Sequence, residues 1–111
     1  MKSKASGPVA GRPVRGSRTG RPIMAALDLL GRRSTLRILW ELREGQPLTF
    51  RALQDAAETN PSLLNTRLRD LREAGLLSHE GEGYELTASG KSLLLALKPL
   101  LQWSKEWNAG T

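Results

Sequence analysis

The chain has no cysteine, which excludes disulfides, thiolate metal sites and thiol-based redox sensing. It has a single histidine, His79, with no nucleophile or second ligand near it. A lone histidine of this kind is more often structural or exposed than functional. The usual metal-ligand spacings and the G-x-x-x-x-G-K phosphate loop are also missing. No catalytic residue, metal or cofactor is therefore implied, and the chain does not read as an enzyme. No apolar run approaches the roughly 20 residues that a membrane span needs. Nor does an apolar segment follow the first basic residues, as it would in a secretory signal. The expectation is a soluble, cytoplasmic protein without a membrane partner. With 111 residues there is room for one domain with a modest core, plus at most a tail.

Acid is missing from one region only. Residues 1–22 carry Lys2, Lys4, Arg12, Arg15, Arg18 and Arg21 and no Asp or Glu. The eleven basic residues that follow balance the 11 acidic ones, so the formal charge of +6 resides in this leading segment. Rich in Gly, Pro and Ser and poor in large apolar side chains, residues 1–20 cannot bury enough surface to offset their ordering entropy, and disorder is expected. Such an arm either adds salt-dependent phosphate contacts or is a solubilising extension. The domain proper is expected over residues 21–108, with a flexible end at 109–111.

What is present is a series of short amphipathic segments. The first helix is expected over Ile23–Leu30, with Pro22 at its start and Gly31 at its end. A helix this short is marginal alone and must dock on its own domain or on a second chain. A second helix is expected from Thr35 to Glu44, with Ser34 as N-cap and Gly45 as stop. It is apolar over a wide arc, and Trp40 on it reads most simply as a core residue. Pro47-Leu48-Thr49 allows a few residues of strand. A third helix follows to Ala57, with Thr49 as candidate cap.

The most informative stretch begins at Asn60, a good N-cap, with Pro61 in the first helical position and Gly75 past the C-terminus. At about 100° per residue, Leu64, Leu68 and Leu71 form an apolar stripe flanked by Leu63 and Ala74. The opposite face carries Ser62, Asn65, Thr66, Arg69 and Arg72. Short hydrogen-bonding groups mixed with guanidinium forks suit base edges and phosphates in a DNA major groove, though a solvated outer face looks similar. Two helices joined by about three residues make a helix-turn-helix, with the second as reader. Leu76–Glu80, the turn Gly81-Glu82-Gly83 and Tyr84–Thr87 then read as a β-hairpin, with Leu77 and Leu86 facing inward. A last helix runs from Thr87, its candidate cap, to about Trp107, and Pro99 should kink or break it. Its surplus of apolar side chains, with that of the first helix, points to a homodimer seam built from Leu27, Leu97, Leu100, Trp103 and Trp107. The fold class is thus mainly α with a small β-hairpin, a winged helix-turn-helix that dimerises through its first and last helices.

From Arg21 to Trp107 the chain resembles the HxlR-type winged-helix transcriptional regulators, relatives of the MarR-type regulators. The resemblance rests on R-P-I-M-A-A-L-D-L-L-G-R-R-S-T-L-R-I-L-W-E-L, L-T-F-R-A-L, N-P-S-L-L-N-T-R-L-R-D-L-R-E-A-G-L-L, Y-E-L-T-A-S-G and the Leu97/Leu100/Trp103 spacing, in that order. It implies a homodimer on double-stranded DNA, with the fourth helix in the major groove and the hairpin near the backbone or minor groove. Carried over by position, Ser62, Asn65, Thr66 and Arg69 fall on the reader face. Arg33 matches a basic position before the second helix, where a helix N-terminus and a cation share a phosphate. Arg67 matches the arginine of an R-L-R pattern, but the helical phase puts it near the buried edge, where it makes an ion pair or snorkels to a phosphate. It ranks below Arg69 as a base contact.

Three departures stand out. Arg21-Pro22 occupy the place of a common family cysteine, so cysteine-based sensing does not carry over. Ser34 replaces a usual Trp before the second helix. The wing is short and flanked by Glu80 and Glu85, which would repel phosphates. The leading expectation is a dimeric, sequence-specific DNA-binding regulator, a repressor that occludes a promoter. The alternative is a winged-helix protein-interaction or dimerisation module without strong DNA binding. A small-molecule effector could sit between core and dimer helices, against Trp40 or Trp103, but nothing in the residues separates that from plain packing.

Overall fold

The computed structural model describes residues 21–110; the basic segment 1–20 and Thr111 lie outside them. Six helices and three short strands follow in the order α1 (Pro22–Leu30), α2 (Thr35–Glu41), β1 (Leu48–Thr49), α3 (Phe50–Ala57), α4 (Pro61–Glu73), β2 (Leu77–Glu80), β3 (Gly83–Leu86), α5 (Ala88–Ala96) and α6 (Lys98–Ala109). The expected sequence of elements is present. Beyond it, β1 joins the hairpin, giving an antiparallel sheet in the order β1-β3-β2.

Three helix starts are capped as the sequence suggests. Thr49 accepts from Ala52 N–H at 3.1 Å, Asn60 Oδ1 from Leu63 N–H at 2.8 Å, and Thr87 Oγ1 from Gly90 N–H at 3.1 Å. Each satisfies one of the orphan donors at a helix N-terminus. The fourth start differs. Ser34 is left-handed (φ 72°) and makes no side-chain cap, because a tight turn precedes it in which Thr35 N–H donates to Arg32 O at 3.1 Å. A side chain caps from the extended region, and the left-handed one aims it elsewhere. The far end of α2 also falls short of Glu44: the α-helix stops at Glu41 and winds down through turns to Gly45, whose φ of 87° suits glycine.

Core packing follows the apolar stripes. Ile38 and Leu39 of α2, Leu42 just past its end, Leu53 of α3 and Leu64, Leu68 and Leu71 of α4 are buried, with Leu77, Tyr84 and Leu86 closing the core from the sheet. Leu77 and Leu86 are cross-strand partners. Trp40 is not among them: it is 40 % exposed, with the Arg43 guanidinium 4.1 Å from its ring centre. The wide apolar arc of α2 is therefore only partly covered, and Leu36 and Trp40 face a largely apolar groove of about 800 Å³ between α2 and the last two helices.

The hairpin turns on two residues, Gly81 and Glu82, since Glu80 pairs with Gly83. Gly81 has φ 63°, the conformation that a two-residue hairpin turn opening on glycine requires. Gly90 shows why a small residue stands at the start of α5: a Cβ there would collide with the Leu76 carbonyl oxygen. That close approach lets Thr87 bridge elements, its hydroxyl also donating to Gly75 O at 2.6 Å. Pro99 breaks the last helix as expected, at Leu97 between α5 and α6. α6 then takes in Asn108 and Ala109, so Ala109, expected in a flexible end, is helical.

Candidate nucleic-acid interface

Helix α4 presents two faces with different states of satisfaction. Leu64, Leu68 and Leu71 are buried beneath it, while Ser62, Asn65, Arg69 and Arg72 are exposed on the outside. Thr66 is half-buried and its hydroxyl donates back to Ser62 O at 3.1 Å, a bond that uses the donor and leaves the oxygen able to accept. Neither Arg69 nor Arg72 has an ion pair among the described residues. Arg33, exposed in the turn before α2, is likewise without an acidic partner there. Arg51, exposed in the first turn of α3 and not singled out from sequence, is in the same condition.

Arg67 is the exception among the expected contacts. Its guanidinium turns inward, donating from Nε to Arg33 O at 2.8 Å and from Nη1 to Asp70 Oδ2 at 3.0 Å. Of the two roles its helical phase allowed, the ion pair is the one the structure contains, and Arg67 does not stand on the outer face with Asn65 and Arg69. Asp70 is 3 % exposed and also receives Arg32 Nη1 at 3.1 Å, while Arg32 Nη2 reaches Asp28 at 3.1 Å. Sequence reading missed Asp28, Arg32 and Asp70 altogether. The spacing of Arg67 and Asp70 on one helix was a local signal; the arrival of Arg32 from another element had none.

The hairpin stands beside α4. Arg69, Arg72 and Glu73 form one wall of a shallow polar depression and Leu77, Ser78, His79 and Glu80 the other. His79 stacks on its cross-strand partner Tyr84, ring centres 3.8 Å apart, so the only histidine stiffens the wing. Glu80 and Glu82 are exposed at its tip and Glu85 is half-buried. Two arginines without an ion pair among the described residues thus stand beside a carboxylate-bearing ribbon. Among the described residues no group of His, Asp or Glu could hold a metal ion, and no helix is long and apolar enough to cross a membrane.

Two short helices leading into a capped third helix, followed by a hairpin that pairs back to a strand lying between the first two, define a winged helix-turn-helix. Solved structures share this fold. The quinone-bound YodB of B. subtilis superposes with a TM-score of 0.70 over 76 % of this chain and 96 % of that one, at 24 % identity. The MarR family protein Rv2887 of Mycobacterium tuberculosis gives 0.59 over 74 % and 63 %, at 28 % identity. The model of the HxlR-like helix-turn-helix family matches residues 29–110, and the chain belongs to that family. Relatives include HTH-type transcriptional regulators of Methanocaldococcus jannaschii, 26 % identical over 76 % of this chain and 83 % of that one, and of Mycobacterium bovis, 34 % identical over 79 % and 60 %. The chain thus spans 60 % of the length of its mycobacterial relative. Membership places it in a family of helix-turn-helix transcriptional regulators.

Proposed function

We propose that the protein is a dimeric, sequence-specific DNA-binding repressor that acts by occluding a promoter. The observation that carries this reading is the outer face of α4, where Ser62, Asn65, Arg69 and Arg72 are exposed and both arginines are free of ion pairs among the described residues. Inserted in a major groove, Asn65, Thr66 and Arg69 read base edges, while Arg72 and Arg33 take phosphates. The seam formed by Leu27, Leu97, Leu100, Trp103 and Trp107 pairs two copies, which sets half-sites about 34 Å apart on one side of the duplex. The basic segment 1–20 adds phosphate contacts that the acidic wing does not make.

The test is a band-shift titration against a pseudo-palindrome from the protein's own promoter, repeated with residues 1–20 removed. A retarded dimer complex that survives excess random duplex, with a shallower salt dependence after truncation, is the expected result. The acidic tip, Glu80 and Glu82, favours a second reading, a winged-helix interaction module without strong DNA binding. That reading wins if neither the palindrome nor random duplex is retarded.

A further inference from the structure

The ion-pair network under α4 is built for register. Asp70 sits on the reader helix with its carboxylate 5 % exposed and holds two guanidinia, Arg67 at 3.0 Å from its own helix and Arg32 at 3.1 Å from the turn after α1. Arg32 is held in turn by Asp28 at the end of α1. Arg67 spends its remaining edge on the carbonyl of Arg33, 34 positions away. These bonds converge on four residues, Arg32 to Thr35, that contain the left-handed Ser34 and lead directly into α2. Burying charge is costly, and an apolar cluster of similar volume often stabilises a fold as well or better. What such a cluster could not do is fix a carbonyl and two side chains at set positions. The best-attested use of a buried polar network is to fix register.

We infer that Arg67 and Asp70 are positioning residues that lock the Arg33 turn to the reader helix, so that the phosphate contact of Arg33 and the base contacts of Asn65 and Arg69 keep a fixed separation. The inference rests on the function proposed above. Arg33 cannot find its phosphate while α4 lies in the groove unless the turn and the helix move as one body. Arg67 therefore acts on DNA through Arg33, by holding its backbone, and not by touching DNA. Arginine is required because one planar fork must serve a carbonyl through Nε and a carboxylate through Nη1, which a lysine ammonium on a flexible stem cannot do in fixed geometry.

Three variants of the full chain test this: Arg67→Lys, which keeps the charge, Asp70→Asn, which keeps the shape, and Arg33→Ala, which keeps the carbonyl. Amide hydrogen exchange at Thr35, whose N–H donates to Arg32 O, reads the turn, and the amides of Leu64 and Leu68 serve as the α4 reference. In Arg67→Lys, Thr35 is expected to exchange faster while the reference amides and the melting midpoint hold. Operator affinity should fall roughly tenfold, the size of one lost charge-assisted contact, and the salt slope on operator by about one, while affinity for random duplex, where no base contact sets the register, holds. Asp70→Asn releases two cations, so its random-duplex affinity should hold or rise as operator preference falls. Equal losses on operator and random duplex in both variants, or unchanged Thr35 exchange, would make the network a mere stabiliser and overturn the inference. If Arg33→Ala binds as wild type, the inference falls with its phosphate contact, while Arg69→Ala still decides separately whether α4 is the reader.

Discussion

Arg67 and Arg69 are two positions apart on one helix, and at about 100° per residue they point roughly 200° apart. That angle separates their chemistry. Arg67 is drawn to Asp70 and the Arg33 carbonyl; Arg69 is exposed, with no ion pair among the described residues. Arg72 is exposed a turn further on, close to the C-terminus of α4 and the wing. The two exposed arginines should therefore fail differently. Arg69→Ala is expected to relax preference at one base position, a loss of about 1–3 kcal/mol in discrimination. Arg72→Ala should weaken operator and random duplex alike and reduce the salt slope by about one. Titrations against operators substituted one base at a time, at two salt concentrations, separate these outcomes. If Arg69→Ala left sequence preference intact, the reader face would be wrongly assigned. The helical phase made Arg69 and the edge position of Arg67 legible in the sequence. It gave no access to Arg32 as the partner of Asp70, since a pair between separate elements has no periodicity. Trp40 escaped for a related reason: spacing says which side chains share a face, not whether a neighbour covers it.

At the scale of elements, legibility follows how local the cause is. Thr49, Asn60 and Thr87 cap their helices because the residue, its extended backbone and the receiving N–H lie within three positions. Ser34 has the right side chain in the wrong backbone, since the turn between α1 and α2 drives it left-handed. The two sites should differ in energy. Asn60→Ala loses a real hydrogen bond and should cost about 1 kcal/mol. Ser34→Ala loses none and should stay within about 0.5 kcal/mol of the parent. Urea melts followed by circular dichroism measure both, and equal costs would mean that Ser34 caps α2 in solution. The break at Pro99 and the hairpin were local in the same sense. The third strand was only half legible: two residues, Leu48 and Thr49, become a strand because β3 offers an edge at Tyr84 and Gly83. That approach leaves so little space that a Cβ at Gly83 would press on Pro47.

At the scale of the whole molecule, the exposed large apolar side chains among the described residues lie on α1, α2, α5 and α6, Leu36 and Trp40 of α2 facing the groove. Ile23 and Leu27 of α1, Leu95 of α5 and Leu100, Leu101, Trp103 and Trp107 of α6 are 41–68 % exposed. None lies on α4 or the wing. Trp103 and Trp107 stack on each other, ring centres 5.2 Å apart, which places two large apolar surfaces side by side without a core beneath them. Large apolar side chains exposed on the first and last helices suit an interaction surface, and a second copy is the partner that the proposed palindromic reading requires. A charge placed on this surface should then dissociate the dimer without unfolding the domain, because both target side chains are more than half exposed, Leu27 at 55 % and Trp103 at 53 %. For Leu27→Glu combined with Trp103→Glu, light scattering should give half the parent mass, with the circular dichroism spectrum and melting cooperativity retained. Operator affinity should drop by about 10² or more, because each half-site then binds alone and loses the effective concentration that linkage supplies. Random-duplex affinity should fall far less. A parent that is already monomeric, or a variant that keeps the dimer mass, would move the seam away from these helices and leave the reader face to bind one half-site at a time.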